Sequence, residues 1–294
     1  MGDGTKESPY TREDVLRLLK ETEEPGEVLD LSGKVFEEEI DLHGLDLGII
    51  DLSESYLNGA NLEGARLWGA LLIETRLIGA NLKGTNLRDA HLWGAKLFGV
   101  ELEGADLRYA ELWGAYLRYT EFPHNAKLEE VDWGKKYFLG EEVEGSFEEA
   151  EATYRRLKIW HTEQGLYDLA GKFFYREMEV KRKTQSWKKE PHLKLWSWIL
   201  RMLCGYGEKP ERVVISAAVV IFGLAIAYFL WGSFSSSSFA DTLYYSVASF
   251  TALGYGQWAP QPTEWAKGMG AAEAVLGVSM LALFLVTFTR KMIR

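Results

Sequence analysis

Cysteine and histidine are scarce in this chain of 294 residues. Its one cysteine, Cys204, excludes an intrachain disulfide framework, and its five histidines are scattered without the spacing of metal ligands. The opening residues, MGDGTKESPY, contain no apolar core of the signal-peptide kind. We therefore expect the N-terminus to remain on the side of the membrane where the chain is made, and any membrane segment to be internal.

Charge and apolar residues are spread unevenly along the chain. The formal net charge is −10 and 47% of the residues are hydrophobic, which leaves material for two or three domains. The first third is acidic and rich in leucine and glycine, the middle is rich in glutamate and then in lysine, and the last third is strongly apolar. Each region therefore needs its own interpretation.

A repeat of five residues dominates the first third. From Leu42 to Leu117 every fifth residue is a leucine, Phe122 follows in register, and a small residue lies two positions before most of these leucines. Neither an α-helix nor a β-strand has this period, so the repeat itself sets the fold. The stretches ANLEGARLWGA and ADLRYAELWGAYL resemble the pentapeptide-repeat family over about residues 40–122.

That resemblance implies a right-handed quadrilateral β-helix with four repeats per turn, in which Trp93 lies over Trp113. Some members of the family resemble a DNA duplex in shape and charge. Residues 41–122 carry 12 acidic and 7 basic side chains with both signs interspersed, which makes a weak imitation of DNA. We therefore favour a rigid interaction or spacer module, expect no nucleic-acid partner, and leave open an unidentified protein partner.

The open ends of such a rod need covers, because they present unpaired backbone groups. Residues 11–22 predict one cover, an amphipathic helix that begins at a variant capping box of Thr11 and Asp14. After the rod, residues 146–189 change to helical periodicity, and Gly165 ends the first helix. The spacing that follows resembles a tetratricopeptide hairpin, and we favour an adaptor packed on the end of the rod over a docking site.

Two apolar segments near the C-terminus are long enough to cross a membrane. Residues 213–231 carry no charge and residues 268–289 carry only Glu273, and a span needs about 20 residues. Lysine and arginine flank this pair of spans but are absent from residues 232–266, so both termini are predicted to be cytoplasmic. We expect a multi-pass protein of the plasma or inner membrane, in contact with the lipid bilayer. The shorter stretch 192–204 suits a helix at the membrane interface better than a buried soluble helix.

The connection between the two spans is itself apolar. Residues 239–252 have no helix breaker before Gly254 and predict a short helix that dips into the membrane. The sequence TALGYG closes this stretch. Non-helical backbone at membrane depth is tolerated only where protein buries it or where it lines a water-filled path. Outside this context, a GYG tripeptide would indicate an ordinary tight loop.

The order span, dipping helix, TALGYG and span is similar to the pore module of tetrameric potassium channels, whose filter reads TVGYG. The resemblance implies that four chains surround one axis and that backbone carbonyl oxygens replace the water shell of K⁺. Glycines suit such a filter, because successive carbonyls can all face one axis only if the backbone alternates in handedness. The implied filter residues are Thr251, Ala252, Leu253, Gly254, Tyr255 and Gly256, with K⁺ at the carbonyls of Ala252, Leu253, Gly254 and Tyr255.

Two positions depart from the family pattern. Ala252 stands where the family has threonine, so the innermost ion site keeps its carbonyls but loses a ring of hydroxyl oxygens. Gln257 replaces the usual aspartate, which removes a charge from the outer mouth. We expect the ring of Tyr255 to pack outward against neighbours such as Trp258 and to hold the pore diameter.

The second span carries the other functional candidates. Glu273 is expected to bond donors of the filter or of the dipping helix behind the pore, unless it is solvated near the outer surface. Gly277 is either a point where the helix bends to open or a point of close helix packing. Leu281, Leu285 and Phe288 are expected to narrow the inner mouth as a gate.

These features predict a homotetrameric cation channel, with potassium as the expected ion, that is not an enzyme. The alternatives are a membrane-tethered scaffold and, because of Ala252, a non-selective cation channel. We expect no cofactor besides K⁺ in the filter, and neither a nucleotide fingerprint nor a calcium loop identifies a regulatory ligand. The predicted divisions are a capping segment (1–38), a β-helix (39–123), a helical-hairpin adaptor (124–190), an interfacial amphipathic helix (191–211) and an all-α membrane pore domain with two transmembrane helices and a re-entrant pore helix (212–294).

Overall fold

The computed structural model describes residues 2–21, 28–231, 238–254 and 261–292. The chain divides into two compact units, Met1–Thr184 and Gln185–Arg294. The first unit contains a repetitive coil with helices at its two ends, and the described part of the second unit consists of helices and their connections. Four predicted site residues lie outside the described residues, namely Tyr255, Gly256, Gln257 and Trp258.

The first unit is built on a coil with a period of 20 residues. Parallel bridges join residues that are 20 positions apart throughout residues 41–116. The N–H of Leu62 donates to the carbonyl of Asn81 at 2.8 Å, and the N–H of Asn81 donates to the carbonyl of Ala60 at 3.0 Å. Each turn therefore satisfies the backbone groups of its neighbours in the way that a sheet does. The turn of 20 residues is confirmed.

Leucines and small residues fill the interior of this coil. The leucines of the five-residue repeat are at most 3% exposed. A turn follows every bridge, often with a glycine in the left-handed region at its corner, such as Gly64 at φ +65°. The described residues of the coil contain isolated bridges and no extended strands, so the strands of the predicted β-helix are not confirmed. The external ladder is present, with the rings of Trp93 and Trp113 at 4.7 Å.

The coil continues beyond both ends of the leucine repeat. Bridges join Asp30 with Asp51 and Glu111 with Asp132, which are 21 positions apart instead of 20. One added residue in these end turns breaks the five-residue register. The sequence repeat therefore indicates a shorter element, residues 39–123, than the structure contains.

A helix covers the N-terminal end of the coil. α1 (Arg12–Glu21) begins at the predicted capping box. The N–H of Thr11 donates to Oδ2 of Asp14 at 3.2 Å, and the N–H of Asp14 donates to Oγ1 of Thr11 at 3.3 Å. Val15 is 1% exposed and belongs to the same apolar core as the coil leucines. The predicted helix and its cap are confirmed.

Three helices close the other end of the coil: α2 (Gly140–Glu144), α3 (Phe147–Glu163) and α4 (Tyr167–Thr184). The buried carboxylate of Glu141 accepts a hydrogen bond of 2.6 Å from the N–H of Leu117, and burial raises its pKa. Nε1 of Trp160 donates to the carbonyl of Pro123 at 3.1 Å. The predicted helical hairpin thus packs on the last turn of the coil.

The described part of the second unit contains four longer helices: α5 (Pro191–Cys204), α6 (Pro210–Leu230), α7 (Phe239–Thr251) and α8 (Glu264–Met292). α6 and residues Glu264–Thr289 of α8 are long and apolar enough to cross a membrane. Only 17% and 22% of their most apolar stretches are buried within the chain. Most of their apolar surface is therefore available to lipid or to other copies of the chain.

α5 matches the predicted amphipathic stretch and leaves an apolar surface exposed. Trp196 and Trp198 are 60% and 48% exposed, whereas Cys204 at the end of the helix is buried. Lys194 and Arg201 interrupt the apolar sequence. Tryptophans and cations together on one short helix are typical of segments that lie at a membrane surface.

His161 gives the first unit a pH-dependent stability. It lies buried among Trp133, Trp160 and Phe173, its Nδ1 donates to the carbonyl of Leu157 at 2.7 Å, and burial lowers its pKa to about 4. An unfolded histidine titrates near pH 6.5, so the unfolded chain binds the extra proton between these values and stability falls as the pH decreases. We predict a loss of about 2 kcal/mol between pH 7 and pH 5, measured by thermal unfolding of the full chain with tryptophan fluorescence.

The variant His161→Phe should remove most of this pH dependence, because the aromatic packing remains and the titrating group does not. His124→Phe is the matched control, because His124 is exposed at the surface. An unchanged pH dependence in His161→Phe would show that another group is responsible.

Candidate functional site

α7 is fixed at its start by a capping box. Oγ of Ser238 accepts the N–H of Asp241 at 3.3 Å, and the carboxylate of Asp241 accepts the N–H of Ser238 at 2.9 Å. The helix ends at Thr251, and Ala252 follows in the left-handed conformation with φ +53°. The short helix predicted over residues 239–252 is therefore present within one residue of its expected end.

α7 packs against both long apolar helices. The ring of Tyr228 on α6 meets the ring of Tyr245 edge to face, with centroids 5.3 Å apart. The hydroxyl of Tyr245 donates to the carbonyl of Ala266 on α8 at 3.1 Å. The ring of Tyr245 is thus packed against an aromatic neighbour, and its buried hydroxyl has a hydrogen-bond partner. α7 is thus attached to α6 on one side and to α8 on the other.

Glu273 joins the three helices at one point. Its carboxyl group is buried, accepts the hydroxyl of Tyr228 at 3.0 Å and contacts the hydroxyl of Ser246 on α7. The Ser246 hydroxyl also lies 2.9 Å from the carbonyl of Ile221 on α6. The sequence left open whether Glu273 is buried or is solvated near the outer surface, and the structure shows it buried. Its two hydrogen-bond partners are Tyr228 on α6 and Ser246 on α7.

Gly277 lies one turn further along α8, where that helix passes the end of α7. A Cβ atom at this position would collide with the backbone carbonyl of Phe250. The residue is buried, so the glycine is required by close packing between helices. This contact supports the packing alternative for Gly277, and the hinge remains a prediction.

The predicted filter residues that the structure describes, Thr251 to Gly254, lie at the end of α7 and directly after it. Thr251 is its last residue, and its hydroxyl donates to the carbonyl of Val247 at 2.7 Å. Leu253 is 83% exposed within a single chain, and Gly254 has φ +87°. Ala252 and Gly254 both occupy the left-handed region, which glycine reaches at little cost and alanine seldom adopts.

The predicted inner-gate residues lie on an exposed face of α8. Leu281, Leu285 and Phe288 are 59%, 54% and 44% exposed, and their spacing places them on one side of the helix. The ring of Phe288 also stacks on that of Phe284 at 5.5 Å. The described residues of a single chain leave about half of each of these side chains exposed.

The sequence reasoning missed Tyr228 and Ser246 as partners of Glu273. A signal for Tyr228 was present, because it is the one tyrosine in the first apolar span and a buried hydroxyl needs a partner. Ser246 was harder to single out, because serine hydroxyls in helices often bond their own backbone. Within the residues that the structure describes, no group of three or more metal-binding side chains occurs.

Family models match both parts of the chain. Residues 214–294 match an ion channel family, and residues 50–89 and 85–122 each match a family described as pentapeptide repeats (8 copies). No curated protein matches the chain. The channel match and the two long apolar helices support a membrane ion channel.

Several solved pentapeptide-repeat proteins are similar to part of the chain. The protein alr5209 from Nostoc Pcc 7120 is 29% identical over 42% of this chain and 94% of its own, with a TM-score of 0.34. Rfr23 from Cyanothece 51142 is 36% identical over 32% of this chain, with a TM-score of 0.18. HetL from Nostoc is 27% identical over 40% of this chain, with a TM-score of 0.20. The chain spans 56% of the length of each of the last two.

Loss of the Glu273 carboxyl should destabilise the second unit. We predict that Glu273→Ala lowers the free energy of unfolding by about 2–3 kcal/mol, because the buried hydrogen bonds of the carboxyl group to Tyr228 and Ser246 are lost. The measurement is SDS-induced unfolding in mixed micelles, followed by circular dichroism. Glu273→Gln should recover most of the loss, because its amide can accept from Tyr228 and donate to Ser246. Glu264→Ala, at the exposed start of the same helix, should have no effect.

A side chain at position 277 should separate α7 from α8. We predict that Gly277→Ala costs about 1–3 kcal/mol in the same unfolding assay, because the added methyl group meets backbone that cannot rotate away. Gly268→Ala is the matched control on α8, because a Cβ there meets nothing within 4 Å. Equal stability of the two variants would contradict the packing assignment.

Proposed function

We propose that this chain, which joins pentapeptide repeats to an ion-channel domain, forms a homotetrameric membrane channel that conducts cations, with K⁺ as the principal ion. The observation that carries the proposal is the position of α7. It lies against two helices long enough to span a membrane and ends where the TALGYG sequence begins. Backbone carbonyls of Ala252, Leu253, Gly254 and Tyr255 would then replace the water shell of the ion.

The end of α7 favours a cation for an electrostatic reason. The last carbonyl groups of a helix have no partners within it and carry a partial negative charge. Ala252 and Gly254 have positive φ angles, as expected where backbone leaves a helix and changes handedness. These features are consistent with a filter that starts at Thr251 and continues through Tyr255 and Gly256.

Four chains are proposed because each chain contains one TALGYG segment and a filter of this kind needs four. The exposed apolar surfaces of α6 and α8 are suitable for contacts with lipid and with other copies. Leu281, Leu285 and Phe288 would then narrow the inner mouth of the path. Both termini, and with them the rods, would lie in the cytoplasm, because lysine and arginine flank the pair of spans on that side.

The four rods would have a regulatory or structural role. We propose that the coil is the right-handed quadrilateral β-helix of pentapeptide-repeat proteins, and that α5 lies on the cytoplasmic membrane surface with its cations towards anionic headgroups. A non-selective cation channel is the second candidate. It is favoured by Ala252, which offers no hydroxyl group to the innermost ion site.

The experiment is current across planar bilayers that contain the purified full chain, first under a potassium gradient and then with sodium in place of potassium. We predict reversal near the potassium equilibrium potential and little sodium current. Gly254→Ala should abolish the current, because a residue with a Cβ is strained at φ +87°. Gly268→Ala should conduct normally.

Different outcomes distinguish the candidates. Equal sodium and potassium currents would establish the non-selective channel, and recovery of potassium selectivity in Ala252→Thr would locate its cause. Absence of current from assembled tetramers would favour a membrane-tethered scaffold, in which the second unit serves as an anchor.

A further inference from the structure

A groove with a volume of about 920 Å³ lies on the surface of the first unit. Small-molecule sites typically have volumes of about 300–1,000 Å³. The groove is lined by successive turns of the coil and by residues 132–143, which follow the leucine repeat. The N–H of Gly114 donates to the carbonyl of Phe138, 24 residues ahead, whereas the equivalent N–H of Gly94 donates to the carbonyl of Trp113, 19 residues ahead. Extra residues therefore leave the coil at this turn and help to make the surface concave.

One column of the groove places two cations on neighbouring turns. Parallel bridges connect Tyr56 with Arg76, Arg76 with Lys96, and Lys96 with Tyr116. Turns of this kind are separated by about 4.8 Å, and like charges directly opposite one another are destabilising. Arg76 lies over the ring of Tyr56 at 4.8 Å. Neither Arg76 nor Lys96 forms an ion pair with a described residue.

Three cations on other parts of the coil have carboxylate partners: Arg66 with Asp46 at 3.3 Å, Lys83 with Glu101 at 2.8 Å and Arg108 with Asp106 at 2.6 Å. Arg88, also outside the groove, lies over the ring of Tyr109. Lys135 and Lys136, which also line the groove, form no ion pair with a described residue. Four unpaired cations are therefore collected in one concave surface. An anionic group bound there would relieve their mutual repulsion.

A flat apolar surface lies beside these cations. Trp113 is 44% exposed, lines the groove, and packs on Trp93 with ring centroids 4.7 Å apart. Gly94 and Gly114 also line the groove and contribute no side chain. The indole ring is thus supported by a neighbour and accessible from the groove, which suits stacking with another aromatic ring.

Three carboxylates restrict what the groove can accept. Asp132 already accepts the N–H of Gly134 at 2.7 Å. Glu54 and Glu74 occupy equivalent corners of neighbouring turns at φ +60° and +54°, a region that residues other than glycine seldom adopt. Their negative charge disfavours a polyanion, whereas their oxygens can accept hydroxyl or amine donors. A ligand with one compact anionic group suits this combination best.

We propose that this groove binds a small organic anion that carries a flat aromatic ring. The anionic group lies at Arg76 and Lys96, and the ring stacks on Trp113. The site belongs to the first unit, so its occupancy does not depend on whether the second unit conducts ions.

The test is isothermal titration calorimetry on the full chain in lipid nanodiscs with three probes. Adenosine monophosphate has both the ring and the anion, adenosine has only the ring, and inorganic phosphate has only the anion. We expect adenosine monophosphate to bind at least about 10-fold more tightly than either of the others, because each half contributes about a factor of ten.

Surface variants locate the site. The double variant Arg76→Gln and Lys96→Gln should weaken binding of adenosine monophosphate about 10-fold, because two charge-assisted contacts are lost. Trp113→Leu should weaken it about 5-fold through loss of stacking. Glu74→Gln should strengthen binding about 2-fold, because a repulsive charge is removed.

Matched controls exist on the same coil. Arg66→Gln removes a cation outside the groove lining, and Trp68→Leu removes a tryptophan that is 46% exposed there. Both should bind adenosine monophosphate like the parent chain. Equal affinity for the three probes, no binding up to about 10 mM, or equal weakening by the control variants would each overturn the proposal. The comparison of the three probes uses the parent chain, so it tests the proposal even if a variant fails to fold.

Discussion

Backbone polar groups that are removed from water need partners inside the protein, and this requirement determines where the second unit can depart from helix. α6 and α8 satisfy their own backbone groups along their whole apolar length. α7 ends at Thr251, so its last carbonyls are the ones left without helical partners. Contacts of its residues Tyr245 and Ser246 with Tyr228 on α6 and Glu273 on α8 hold this helix from both sides. The fold therefore fixes the point at which the backbone leaves the helical conformation at the end of α7.

The first unit meets the same requirement in another way. Each turn of the coil bonds the next, so only the two ends have unsatisfied groups, and each end has its own solution. At the start, the residues before α1 bond the first turn: the N–H of Val35 donates to the carbonyl of Gly4 at 2.8 Å, and the N–H of Glu37 donates to the carbonyl of Tyr10 at 3.1 Å. At the other end, the carboxylate of Glu141 takes the place of a backbone carbonyl and accepts the N–H of Leu117. The helical hairpin then covers the apolar core with Tyr154 and Leu157, both fully buried.

Features that repeat or that depend on length alone could be predicted from the sequence. The five-residue period indicated the repeat, the family resemblance implied the 20-residue turn, and long apolar runs with at most one charge indicated α6 and α8. Contacts between distant residues could not be predicted in this way, because one sequence does not show which buried hydroxyl meets Glu273. The extra residue in the end turns hid the full length of the coil, since it removed the register on which the limits 39–123 depended. The groove was missed for a similar reason. One wall of the groove, the column from Tyr56 to Tyr116, follows the regular repeat, but the opposite wall is formed by residues 132–143, which do not follow it.

Glu273 and Gly277 lie one turn apart on α8 and act on α7 in different ways. Glu273 contacts the side chain of Ser246, whereas Gly277 allows the backbone of α8 to approach the carbonyl of Phe250, one residue before the end of α7. A buried hydrogen bond and a close backbone contact both resist partial displacement. Leu281, Leu285 and Phe288 continue along the same helix. If α8 moves as one rigid helix, a movement that displaces the face carrying these three residues also changes the contacts that hold the end of α7. The proposed inner gate and the proposed filter are thus connected through one helix.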